Sequence, residues 1–394
     1  MTGRTWRLVL LISCAHALVH VFELSLASVE IEVASSYGVN TATTGLLATT
    51  WRFPFGVGAL LAGWLVDRYG APRLLVCYLV GCGLTSLIVA QSVPLEMLFG
   101  VMFVMGSTAS IYHPAGLALL SFETTEENRA KALGVHGIFG SAGIGGAPFL
   151  AALVLGMGGS WQLFYVVLTC VALALATFFF FWGRKQTFAS AKTVKSDTAE
   201  QQAADGISYG MLAFVGLLQG FVYAAVLTFL RRYLQDVVDW TIPGIKSDAA
   251  ATGAVLLVGC FAQYASGSFA RPKRLEQQLC VVVCGSVPML IWMSMAEGTM
   301  RLWAAAGFVL THFMHQPLYN TLVAKYSSLK RRSLAYGFSF AMGLGFGSFG
   351  AAFAGFMATP ASIYRVLAAV VTVAAIMATM LWRRTASLNQ SSDS

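Results

Sequence analysis

Apolar runs of 18 or more residues recur along the whole of this chain, each long enough to cross a hydrocarbon core about 30 Å thick. Twelve can be placed, at 8–29, 43–66, 74–91, 97–120, 131–155, 161–182, 208–230, 249–270, 279–296, 302–323, 334–357 and 362–382. Backbone at membrane depth must satisfy its own N–H and C=O groups, and runs of this length do so as helices. Only 11% of the 394 residues are charged and 57% are hydrophobic, whereas a soluble domain carries about 25% charge. The expected fold class is an all-α membrane protein of twelve transmembrane helices, with almost no mass outside the bilayer.

The formal net charge of +8 would suit nucleic acid if it were clustered, but it is sorted by topology instead. Of the 25 Lys and Arg, nineteen fall in segments on the N-terminal side of the membrane. Five (Arg231, Arg232, Lys246, Arg301 and Arg365) fall on the other side, and Arg52 lies within a span. This asymmetry places both termini in the cytoplasm, as expected for a protein of a bacterial inner membrane, and leaves no role for nucleic acid. All seven cysteines sit in apolar runs, so no disulfide framework is implied. Leu11-Ile12-Ser13-Cys14 imitates a lipoprotein cleavage site, but the apolar run continues well past Cys14 and reads as an uncleaved first span.

The longest polar interruption, 184–207, reads as a cytoplasmic linker between two six-span bundles, 1–183 and 208–384; the polar tail 385–394 reads as disordered. At a constant offset of 203 the halves echo one another: Pro114 and Pro317, Arg129 and Arg332, Gly134 and Gly337, Gly140 and Gly343. Between spans 2 and 3 stands Gly63-Trp-Leu-Val-Asp67-Arg68-Tyr-Gly70-Ala-Pro-Arg73, an acidic–basic pair in a chain that otherwise avoids charge.

Twelve spans, a 6+6 duplication, a central linker and the Gly63–Arg73 loop together resemble the major facilitator superfamily. The usual motif carries a basic pair after the second glycine, where this chain has Ala71 and Pro72 before Arg73; the second copy, Gly267 to Arg274, lacks the aspartate. Tyr112-His113-Pro114, the Arg129–Gly134 segment and the glycine-rich Gly140–Pro148 are similar to the fosmidomycin-resistance type of exporter, which implies export. The resemblance implies secondary transport by alternating access. Gly63, Asp67, Arg68, Gly70 and Arg73 would then form a conformational gate on the cytoplasmic side.

Ionisable side chains inside spans are costly, so each is a functional candidate. His16, His20 and Glu23 share one face of span 1. Arg52 in span 2 lies at a similar depth, so Glu23, His20 and Arg52 form a candidate proton-coupling set. Span 10 presents His312, His315, Gln316, Tyr319 and Asn320 around Pro317, and span 4 presents Tyr112 and His113 beside Pro114. With His16, with Gln219 and Tyr223 in span 7, and with Gln263 and Tyr264 in span 8, these are candidates to bind a small organic substrate. The alternative assigns His16, His20, His312 and His315 to a transition metal as cargo, because imidazole suits such ions. Glu30, Glu32, Asp236 and Asp239 read as solvated helix ends, and the glycines of spans 5 and 11 as packing surfaces. No GxxxxGK[ST] loop or catalytic constellation occurs, so neither ATP drive nor an enzyme is expected. No cofactor is implied, and the expected state is a monomer.

Overall fold

The computed structural model describes residues 3–183, 205–238, 241–328, 331–357 and 359–393, so all but three residues of the expected linker lie outside the described residues. Twelve helical spans run through it. Nine are single helices: Thr41–Tyr69 (span 2), Ala71–Val89 (span 3), Glu126–Gly156 (span 5), Trp161–Gly183 (span 6), Gly206–Tyr233 (span 7), Ser247–Phe269 (span 8), Leu275–Met295 (span 9), Met300–Tyr326 (span 10) and Pro360–Asp393 (span 12). Ten spans are apolar and long enough to cross a membrane by composition. Spans 2 and 10 fall short of that measure, and they carry Arg52 and the His312–Asn320 polar face. A site built into a membrane helix weakens the signal that identifies the helix.

The other three spans are broken where the site needs them. Span 1 is Gly3–Glu23 followed by Ser25–Tyr37, with Leu24 leaving helical geometry (φ −94°, ψ 2°) directly after Glu23. Span 4 stops at Ala109 and restarts as Tyr112–Phe122. Pro114 lies in that first turn, where the missing N–H costs nothing. Span 11 runs Arg332–Phe340, widens to a π turn over Ala341–Gly345, tightens over Phe346–Ser348 and ends as Phe349–Phe356. π turns cluster at functional positions, and this one lies against the seam between the halves.

Two buried apolar cores form, one almost entirely from residues 8–179 and one mostly from 212–381. They meet along three helix pairs: span 1 with 7, span 2 with 11, and span 5 with 8. Contact along the second pair is backbone to backbone, since a Cβ on Gly56 would run into the main chain of Leu344 and Gly345. The glycines of span 11 therefore permit close approach, as small residues do between membrane helices.

The seam is fastened on the side opposite the Gly63–Arg73 loop. Arg231 of span 7, only 2% exposed, makes a bidentate pair with Glu32 of span 1 (2.5 and 2.7 Å) and donates to the Ser28 carbonyl and to Asp248 of span 8. Arg232 pairs with Glu30, whose other contact is the Thr44 hydroxyl of span 2 at 2.6 Å. Glu30 is 1% exposed, so the expectation of solvated ends is overturned for Glu30 and Glu32. Two arginines from the other half reach them, and partners from a different span are invisible to local sequence. Asp236 is exposed, and Asp239 lies outside the described residues. The Thr41 hydroxyl also donates to the Gly355 carbonyl, and the Lys246 N–H to the Ala152 carbonyl.

Asp67, Arg68 and Arg73 are exposed, and Asp67 forms no ion pair among the described residues. The Arg68 guanidinium rests over Trp64 and Tyr69 of its own helix. Gly70 turns the chain into span 3 at φ +86°, a conformation that disfavours side chains, while Gly63 faces open space. The last helix runs to Asp393, through residues expected to be disordered. Thr385 is buried and caps backbone carbonyls of Leu381 and Trp382, and Arg384 reaches Asp205 and Ser208 at the start of span 7.

Removing one partner of a buried ion pair costs about 3–5 kcal/mol. Arg231→Ala is accordingly expected to unfasten the sealed side. Spin labels at Ser36→Cys and Lys246→Cys, in a background without the native cysteines, should shift to longer distances; an unchanged distribution would contradict this role for Arg231.

Candidate functional site

A cavity of about 840 Å³ lies between the halves. Its lining runs from Glu23 at mid-span to Gly134, Ser268 and Tyr336, toward the ends of spans 5, 8 and 11 on the Gly63–Arg73 side. Beyond Glu23, on the sealed side, the arginine–carboxylate pairs close the path.

The first half supplies an ionisable wall. The break at Leu24 ends the first segment of span 1 at Glu23, which is 5% exposed. His20 Nδ1 donates to Glu23 Oε2 at 2.7 Å, and Arg52 Nε lies 3.7 Å from Glu23 Oε1. Arg52 is itself 3% exposed; its Nη1 donates across the seam to the Thr228 hydroxyl of span 7 at 2.6 Å. Its guanidinium sits 5.9 Å from the Tyr223 ring centre. The two members of the pair thus belong to one half, and Arg52 also holds the other.

Next to this pair four histidines gather. His16 stacks on His136 at 3.8 Å between ring centres, and lies 4.9 Å from His20 and 5.4 Å from His113. The fourth, His136, is not among the site residues singled out from the sequence. It comes from span 5, brought in where Gly140 packs against the His16 ring. The signal was available, since His136 is one of only six histidines and all lie in or at the edge of spans.

The second half supplies a wall of amide, imidazole and phenol groups. Gln219, 1% exposed, leaves both amide atoms without a partner; His312 Nδ1 and the Tyr319 hydroxyl are likewise buried and unpartnered. His315 Nδ1 is held by the His312 carbonyl. Gln263 is engaged on both sides: it accepts from Ser141 of span 5 at 2.6 Å and donates to Gln316 of span 10 at 2.7 Å. Tyr223 and Asn320 also line the cavity, and the Asn320 carbonyl accepts from Tyr336.

Two of the expected site residues stand elsewhere. Tyr112 is fully buried behind the cavity wall, where its hydroxyl donates to the Ile12 carbonyl at 2.8 Å and meets His136 Nε2 at 3.0 Å. It braces span 4 against span 1, because the restart of span 4 points Tyr112 inward and leaves His113 facing the cavity. Arg52 also lies behind the lining, reaching the cavity only through Glu23. The expected metal grouping is rearranged as well. Among the described residues, the cluster with metal-ligand spacing is His16, His20 and His113; His312 and His315 pair with each other on the facing wall.

A family model described as Major Facilitator Superfamily matches residues 12–342. Among curated proteins, the chain is similar to the Probable sulfoacetate transporter SauU of Cupriavidus necator, 20% identical over 58% of this chain and 63% of that protein. It is also similar to the Methylenomycin A resistance protein of Bacillus subtilis, 23% identical over 65% of this chain and 62% of that protein. Both matches span less than two thirds of the relative. Among solved structures, a bacterial homolog of the human lysosomal transporter Spinster, inward-facing and occupied, superposes with a TM-score of 0.78. That match has 14% identity and covers 97% of this chain and 98% of that one.

Tyr112→Phe should remove the side-chain partner of the Ile12 carbonyl and leave His136 Nε2 unpartnered, costing about 1–3 kcal/mol. Thermal unfolding of the purified protein is expected to show that loss, with no comparable change for Tyr264→Phe, whose side chain is exposed. Equal melting of the two variants would argue against the bracing role.

Proposed function

We propose that this chain, which belongs to the major facilitator superfamily, is a proton-coupled secondary transporter that exports a small organic molecule by alternating access. The two halves, 1–183 and 208–384, would act as rocking units in a bacterial inner membrane, working as a monomer with both termini in the cytoplasm. The observation that carries this reading is the division of the cavity. One wall holds a titratable pair tied across the seam, and the other holds buried polar atoms without partners.

Each unpartnered buried donor or acceptor costs about 1–3 kcal/mol, so a ligand that satisfies Gln219, His312 and Tyr319 recovers several of these at once. Amide, imidazole and phenol groups suit an organic molecule with both donors and acceptors. The name of one relative specifies a small organic anion and that of the other an antibiotic, both organic in class.

For coupling, the ionised Glu23 carboxylate attracts both His20 and Arg52. At 3.7 Å and an effective dielectric near 20, the carboxylate–guanidinium attraction is on the order of 4 kcal/mol. Protonating Glu23 removes it and leaves Arg52 held mainly by Thr228 of the other half. Only the part of that attraction that differs between the two arrangements biases the halves, and the Arg52–Thr228 bond is the contact through which it can differ. With the Gly63–Arg73 loop in the cytoplasm, the cavity faces inward and Asp67 is free. Closing that side would bring Asp67 to a basic or helix-terminal partner, the gate role expected for Gly63, Asp67, Arg68, Gly70 and Arg73.

In proteoliposomes with an imposed pH gradient, wild-type protein is expected to accumulate a transported compound from a panel including sulfoacetate and hydrophobic antibiotics. Glu23→Gln should lose gradient-driven accumulation while retaining substrate exchange, and Gln219→Ala should weaken substrate binding about tenfold, for about 1.4 kcal/mol. Accumulation by Glu23→Gln equal to wild type would remove Glu23 from the coupling step.

A further inference from the structure

Three imidazoles converge beside the proton-handling pair, His16 and His20 from span 1 and His113 from span 4. One potential ligand nitrogen of each lies within 4.8 Å of the others. The remaining ring atoms are arranged in a way that crowding alone does not require. His16 Nδ1 donates to the His136 carbonyl at 2.7 Å, which leaves the Nε2 lone pair free. His20 Nδ1 donates to the Glu23 carboxylate at 2.7 Å, again leaving Nε2 free. His113 Nε2 is buried and has no partner. A carbonyl or carboxylate on the back nitrogen is the arrangement that orients histidines as metal ligands. His136 stands outside the set, because its Nε2 is taken up by the Tyr112 hydroxyl.

We propose that His16, His20 and His113 form a binding site for one divalent transition-metal ion of the zinc or cobalt type, with its fourth coordination position open to the cavity. Neutral imidazole nitrogens suit such ions. Three protein ligands with an open position are typical of sites that engage a further ligand, not of closed structural sites. All three rings line the cavity, so that position faces it. The charges of Glu23 and Arg52 offset one another, so the ion adds two positive charges to a wall that faces neutral amides. An anionic group on a small molecule is the ligand that completes the coordination. Among the described residues the cluster with ligand spacing includes no residue of the second half, since His312 and His315 stand on the facing wall.

The site is independent of the transport reading and is tested without a gradient or a transported compound. Metal-stripped full-length protein in lipid nanodiscs is titrated with Co²⁺ and followed by visible absorption. The expected result is one ion per chain with the intense bands of a four-coordinate site. His113→Gln should weaken binding at least tenfold; its Nε2 makes no hydrogen bond, so the change breaks none there. Glu23→Gln, which removes the carboxylate that orients His20 as well as its pairing with Arg52, should weaken binding by about 10–100-fold, with gel filtration and tryptophan fluorescence reporting the fold. Absence of stoichiometric Co²⁺ binding would overturn the proposal. So would binding that His113→Gln leaves unchanged, or a loss in His312→Ala as large as in His113→Gln.

Discussion

A charge at membrane depth survives only in company, and here the company is drawn from both halves of the molecule. Five carboxylate or guanidinium side chains are buried among the described residues: Glu23, Glu30, Arg52, Arg231 and Glu276. Four of them lie on the seam. Arg231 and Glu30 fasten its sealed side, and Arg52, paired with Glu23, donates to Thr228 at the head of the cavity. The fifth, Glu276, is held within the second half by Lys325 and Tyr326. Breaking a pair of this kind is expensive. The seam is therefore suited to a small number of discrete arrangements, each defined by which charges are satisfied.

This constraint links the fold to the cavity. The break in span 1 after Glu23, the split of span 4 before Tyr112 and the π turn of span 11 all fall where the halves face each other. At the internal offset of 203, His16, His113 and His136 correspond to Gln219, Gln316 and Ser339. At these three positions the first half carries imidazole where the second carries amide or hydroxyl. The carboxylate and most of the imidazoles thus stand on one side of the cavity, and the amides stand on the other.

The sequence made the helices legible because hydrocarbon imposes length and apolarity on each span separately. Glu23 and Arg52 could be matched by counting residues from the membrane edge, since helical rise is fixed, and they do lie 3.7 Å apart. What could not be read was anything that depends on rotation or on a distant partner. Glu30 and Glu32 looked like solvated ends because Arg231 and Arg232 are some 200 positions away. Tyr112 looked like a cavity residue because neighbouring His113 is one; the restart of the helix sends the two side chains to opposite environments. His136 joined the cluster through a glycine contact between spans 1 and 5 that no periodicity announces.

The central claim is that the protonation of Glu23, sensed through Arg52 at the seam, selects which side of the cavity is closed. Its most direct test is the distance between spin labels on the Gly63–Arg73 side, recorded over a range of pH in wild type and in Glu23→Gln. The wild-type distribution should shift with pH, and that of Glu23→Gln should stay in one population throughout. A Glu23→Gln protein that follows pH as the wild type does would contradict the account.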